Sequence, residues 1–393
     1  MKIALVKKSI LWLFVAIFVA GTVGFNYGFR KPKDNEAAAR FENRKITAFP
    51  SMPFRKKAFY TEFEKWYRDR MYKRQKAIFG WRKAKHAIGV IEPKDIIVGE
   101  DGWLLSKGTP KSYNGDSKKI PKLKKMQDLC DKNGAKFIVM LAPWKDPACK
   151  RYYPYVYRKN IVDYLQISNK AVASLRKNGI GYVDSCPAIM KAMEEDNPEH
   201  PLYVKDDHHW SYFGAIIAAD LLLKELRDLI GIEYDDILTD GSTLQGNREH
   251  SRWTKLGLGN DPQRSIGVVP WHKKFTKNLK IINSRNKKEI KPSKPIANNY
   301  LWGPMTKGEG IIINSECKND RTLLMLSDSY GPYMMPYLTQ YFEKTVETHY
   351  NRKHYDKKPT NLKYLLEKYK PDAVVYFAAS YAQMGDLPEI IVK

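Results

Sequence analysis

Apolar residues along this chain fall into two patterns, short unbroken runs and longer stretches with a helical repeat. The runs Ile96–Val98, Trp103–Leu105, Lys136–Leu141, Ile180–Val183, Arg321–Leu326, Thr345–His349 and Ala373–Phe377 predict strands. Between them, about Lys122 to Asn133, Val162 to Lys177, Ser211 to Leu229, Gly331 to Phe342 and Asn361 to Tyr369 predict helices. Gly134 closes the first of these, and Ser211 and Gly231 are placed to cap and to end the third. Buried strands alternating with helices predict an α/β fold whose mostly parallel sheet is covered on both faces. The rhythm fails between about Asp235 and Asp320, which is rich in Lys, Asn, Gly and Pro and has strand-like pieces at Ile266–Pro270, Leu279–Ile282 and Gly310–Ile313. This is a long insertion at about 235–320 within a main domain, 93–393. It either lines a binding groove or is a plain surface excursion.

The residues before the main domain divide in two. Residues 34–92 form a juxtamembrane segment, an extended Pro-containing lead and then one helix from about Lys57 to His86 with an apolar stripe and a basic face. That helix either docks on the main domain or meets anionic lipid. Residues 1–33 contain Ile10 to Phe29, a charge-free run flanked by Lys2, Lys7 and Lys8 on one side and Arg30, Lys31 and Lys33 on the other. At about 1.5 Å per residue this run spans a bilayer as a helix. It reads as an uncleaved transmembrane anchor, although the small residues Ala20–Gly24 leave cleavage open. The simplest topology puts residues 34–393 outside the cytoplasm.

Composition changes this picture in three places. A net charge of +25 points to polyanions or anionic lipid, and the anchor argues against nucleic acid as the partner. The 25 Tyr and 9 Trp suit sugar handling or work beside a membrane, and equally suit well-filled cores. Cys130, Cys149, Cys186 and Cys317 match no zinc spacing and leave disulfide pairing open. No internal repeat is visible.

Candidate chemistry concentrates at two strand ends. Tyr203 to Trp210 reads Tyr-Val-Lys-Asp-Asp-His-His-Trp, two carboxylates and two imidazoles in four positions just before a helix. Metal ligation and acid–base work are the two explanations. If the segment is extended, Asp207 and His209 point the same way, so the carboxylate can orient the imidazole; Asp206 and His208 then point elsewhere and are structural. The second place is the turn Ser327–Gly331, where a serine lies at the carboxyl edge of the sheet and the following helix offers its amides to a developing oxyanion.

The Asp207-His208-His209-Trp210 run resembles the signature of the DHHW proteins, which are similar to the SGNH-hydrolase-like O-acetyltransferases of the alginate type. Further matching pieces are Glu42-Asn43-Arg44 with Phe49-Pro50, Gly99 to Leu104, Pro143-Trp144-Lys145 and Ser327-Asp328-Ser329-Tyr330. The resemblance implies a flavodoxin-like three-layer sandwich with permuted order of catalytic blocks, Asp then His then Ser. It implies a periplasmic or cell-surface enzyme that acetylates a polysaccharide beside a membrane-bound acyltransferase of the MBOAT type, without metal or cofactor. By position Ser329 would be the nucleophile, His209 the base and Asp207 its partner, with Tyr330, Lys145, Trp144 and Trp210 as oxyanion or substrate contacts. Where relatives carry an acidic or Arg-containing stretch after the last strand, this chain has Ala378-Ala379-Ser380-Tyr381. A carbohydrate acetylesterase with the same triad and a non-catalytic glycan-binding protein are the alternatives.

Overall fold

The computed structural model describes residues 12–13, 15–17, 19–21, 46–53, 55–70, 80–81, 84, 96–107, 116–195, 201–205, 207–234, 243–245, 267–269, 279–283, 289–290, 309–350, 359–379 and 390–392. They belong to two compact units, Met1–Pro93 with Arg252–Gly259, and Lys94–Ser251 with Asn260–Lys393.

In the first unit, helix α1 (Lys57–Arg68) is followed by a turn at Asp69, whose carboxylate accepts the Thr47 amide at 2.8 Å. Phe49 stands edge-on to Phe59, Phe63 and Trp66, and no residue of α1 is buried. The single helix expected from about Lys57 to His86 ends at Arg68, and most of residues 71–86 lie outside the described set. Most of Ile10–Phe29 also lies outside that set; 12–13, 15–17 and 19–21 are helical. Among the described residues no helix is long and apolar enough to cross a membrane.

The second unit opens with an antiparallel pair, β1 (Ile96–Val98) and β2 (Leu104–Ser106). Then follow α2 (Asp116–Lys132), β3 (Lys136–Leu141), α3 (Tyr164–Lys177), β4 (Tyr182–Asp184), α4 (Cys186–Glu195) and α5 (Tyr212–Ile230). Asp163 caps α3 and Ser211 caps α5 by accepting amides of the first turn, and Gly231 ends α5 in the left-handed region at φ 68°. Next come the short strands β5 (Thr243–Gln245), β6 (Gly267–Val269), β7 (Leu279–Asn283), β8 (Glu289–Ile290) and β9 (Gly310–Asn314). The regular rhythm returns with β10 (Thr322–Ser327), β11 (Lys344–His349), β12 (Thr360–Asn361), α6 (Leu362–Tyr369), β13 (Ala373–Ala378) and β14 (Ile390–Ile391).

One eight-stranded sheet organises the unit, in the order β4-β3-β13-β10-β11-β9-β7-β8. The first five strands run parallel; β9, β7 and β8 continue the sheet antiparallel. Side chains alternate between two cores, as the period of a strand requires. Ile138, Met140, Leu323, Met325, Val375 and Phe377 pack on the α5 side, and Phe137, Val139, Leu324, Leu326, Val374 and Tyr376 pack with residues of α2, α3 and α6. This is the expected α/β sandwich. One expectation fails locally, and one open alternative is narrowed. The described strands β7 to β9 of the inserted segment prolong the sheet at one edge. The helix expected over Gly331–Phe342 is a 3-10 turn at Gly331–Tyr333 and a single helical turn at Met335–Leu338, because Pro332 and Pro336 interrupt continuous hydrogen bonding.

Candidate active site

The carboxyl ends of β3, β10 and β13 form one edge, where the two sequence clusters meet. The Tyr203–Trp210 segment is a tight loop and not an extended strand: Tyr203 and Trp210 pair across it, Val204 N–H donates to the His209 carbonyl at 3.1 Å, and Ser211 N–H to Leu202 at 2.8 Å. The loop, and not strand alternation, turns Asp207 and His209 to the same place. His209 Nδ1 lies 3.0 Å from Asp207 Oδ1, and Nε2 lies 2.8 Å from Ser329 Oγ. With its proton on Nδ1, the imidazole donates to the carboxylate and accepts from the hydroxyl. Asp207 and His209 are buried, and Ser329 is half-buried. Burial alone would raise the Asp207 carboxyl, but the charge of His209 and hydrogen bonds from His208 and His209 hold it well below the usual carboxylate range.

His208 does not point away. Its amide donates to Asp207 Oδ1 at 2.6 Å, its Nδ1 is 3.0 Å from the same oxygen, and its half-exposed ring lies against that of His209 at 3.9 Å between centroids. Asp206 lies outside the described residues. Asp207, His208 and His209 could also serve as a metal's ligands. The continuation through Nε2 to a serine hydroxyl is the feature that favours acid–base chemistry.

The four residues expected at the oxyanion or substrate are all buried. Lys145 Nζ donates to the carbonyls of Leu104, Lys205 and Asp207 at 2.7, 2.6 and 2.9 Å, which uses all three ammonium protons. Trp210 donates its Nε1 proton to the Tyr330 carbonyl at 3.0 Å and stacks on Phe377. Tyr330 donates its hydroxyl to the His208 carbonyl and its amide to Asp328 Oδ1. Trp144 is buried beside Tyr164, with no acceptor for its Nε1 among the described residues. The Ser329 amide makes no hydrogen bond among the described residues.

Two acids beneath the serine were not foreseen. Asp328 accepts from Tyr330 N–H and, through Oδ2, from Ala379 N–H at 2.9 Å, so the Ala-Ala sequence after β13 serves through its backbone. Burial pushes the Asp328 carboxyl up to about 6 despite those amides and nearby His208. Glu347 on β11 is fully buried and accepts the Ser327 hydroxyl at 2.7 Å. All four cysteines are free thiols.

A family model described as the SGNH hydrolase-like domain of acetyltransferase AlgX matches residues 96–245. Lys145, Asp207 and His209 fall inside that match, and Ser329 lies beyond it. The structure of Bacillus cereus PatB1 with a sulfonyl adduct is 18% identical, covers 75% of this chain and 99% of its own, and superposes with a TM-score of 0.56. A DHHW family protein from Eubacterium siraeum is 16% identical over 75% of this chain and 94% of its own, with a TM-score of 0.53. At such identities the likeness shows the fold. No curated protein sequence matches significantly. Over residues 96–245 the chain therefore matches the SGNH hydrolase-like acetyltransferase domain of AlgX, and it shares its fold with a DHHW family protein, the two kinships that the Asp207–Trp210 run suggested.

Proposed function

We propose that this chain is an extracytoplasmic O-acetyltransferase that moves acetyl groups onto hydroxyls of a cell-surface or exported polysaccharide. The observation that carries this reading is the unbroken hydrogen-bonded chain from Asp207 through His209 to Ser329, with its acid and base inside the segment that matches an acetyltransferase domain. In the first step His209 Nε2 takes the Ser329 proton while Oγ attacks the acetyl carbonyl. Collapse of the tetrahedral adduct returns that proton to the leaving group and leaves acetyl on Ser329. A sugar hydroxyl then gives its proton to the same nitrogen, attacks the acetyl-serine and regenerates Ser329 Oγ–H. Asp207 holds the productive tautomer and stabilises the imidazolium. The acetyl unit would come from a membrane-bound acyltransferase of the MBOAT type, with residues 1–33 keeping the two proteins on one bilayer.

Purified full-length chain, incubated in detergent with an activated acetyl ester, should gain one acetyl mass that maps to Ser329, and Ser329→Ala should gain none. Absence of an adduct on Ser329 overturns the acyl-enzyme. Adding an oligosaccharide should convert acetate release into acetylated sugar; release alone would identify an acetylesterase.

A further inference from the structure

The turn that carries Ser329 rests on a buried acid from the neighbouring strand. Ser327 ends β10 two residues before Ser329, and its buried hydroxyl donates to Glu347 Oε1 at 2.7 Å. Gly331 follows Ser329 by two residues and lies flush on the same pair: a Cβ there would fall 2.6 Å from Glu347 Oε1 and closer still to Ser327 Oγ. Entry to and exit from the turn therefore bear on one carboxyl group. We propose that Glu347 is a positioning residue for acyl transfer, acting through Ser327 and the close-packed Gly331 to set where Ser329 Oγ stands against His209 Nε2. This role rests on the acyl-transfer reading above.

The surroundings favour the neutral acid. Glu347 Oε2 is buried and has no partner among the described residues, so an ionised group would leave half its charge unpaired, whereas a proton can reside there. Burial pushes this carboxyl up to about 8 against the Ser327 hydrogen bond, with Asp328 adding to the rise. Asp328, on the turn, is the charged group that acts on it. Neighbouring β10 offers Met325 at the paired position and β9 offers Gly310. On its own strand Thr345 and the titratable His349 share its face by alternation. Ionisation of Glu347 would place a second negative charge beside Asp328 under the nucleophile and disturb the turn.

The test compares wild type, Glu347→Gln, Glu347→Ala and Ser329→Ala, using full-length chain and a chromogenic acetyl ester between pH 6 and 9.5. Wild type should lose kcat as pH rises through about 8. Glu347→Gln mimics the neutral acid, so it should keep wild-type kcat at pH 7 and lose the alkaline decline. Glu347→Ala should lower kcat by about 10²-fold with KM nearly unchanged, as a displaced nucleophile does. Thermal melts cover the case in which the Ala variant does not fold. An acid whose folded pKa is raised favours the native state at low pH and loses that contribution as pH rises, so Glu347→Gln should melt with wild type at pH 5 and above it at pH 9. An unchanged Ala variant, or a Gln variant that keeps the alkaline decline, overturns the positioning role while the acyl-transfer reading stands. Full activity in Ser329→Ala overturns both.

Discussion

At the scale of single residues, the acyl-transfer reading asks three side chains to do chemistry and many more to hold them. Asp207 stays ionised far below neutrality, so its hydrogen bond to His209 persists through the working range. The stability it lends is present above the ordinary carboxylate pKa and fades only as pH falls below it. Asp207→Asn, which keeps the shape but favours the wrong imidazole tautomer, should lower kcat by roughly 10⁴-fold and leave the fold intact. His209→Ala should cost about 10²- to 10⁴-fold. Both are checked by ester kinetics alongside circular dichroism; a variant of either residue within threefold of wild type at pH 7 would remove it from the reaction. The meeting of Asp207, His209 and Ser329 was legible because Asp207 and His209 sit in a rare cluster and Ser329 in the turn after a buried strand. The burial of Lys145, Trp144, Trp210 and Tyr330 was not legible, because only packing reveals how the side chains of these loops are covered. Glu347 left a fainter sign, a carboxylate inside the strand run Thr345–His349.

At the scale of elements, loops are fixed to each other at several points. Lys145 ties the loop after β3 to β2 and to the Asp207 loop, and the Tyr203 hydroxyl ties that loop to Pro143 at 2.6 Å. Lys145→Met would leave three carbonyls without their donor, at about 1 to 3 kcal/mol for each that water cannot reach. A lowered midpoint in chemical denaturation with activity lost in proportion is the expected result; unchanged stability would mean the brace is dispensable. The parallel strands were legible because burial on both faces writes an apolar run, and α5 because Ser211 and Gly231 mark its ends. The segment after Gly331 was misread because its apolar residues keep a helical rhythm while Pro332 and Pro336 forbid the helix. Helix α4 went unseen because it follows β4 almost at once and opens on Cys186-Pro187.

At the scale of the whole molecule, charge and address dominate. A chain of net charge +25 held at a membrane by residues 1–33 would meet anionic head groups and anionic glycans before anything else. Fractionated cells should show the full chain in the membrane pellet, resistant to high salt, and a variant lacking residues 1–33 should leave it. Salt extraction of the full chain would reduce the attachment to charge alone.

The order of strands in the large sheet carries one more consequence. β13, the last of its strands in the chain, lies between β3 and β10 and joins the half that bears the base to the half that bears the nucleophile. A growing polypeptide therefore cannot close this centre from its leading end. In the folded chain β13 is the strand that holds the β3 half, near Asp207 and His209, against the β10 half that leads to Ser329. If Ser329 is the nucleophile, its meeting with His209 depends on that last strand being in place, so a chain shortened before β13 should lack the Ser329–His209 contact.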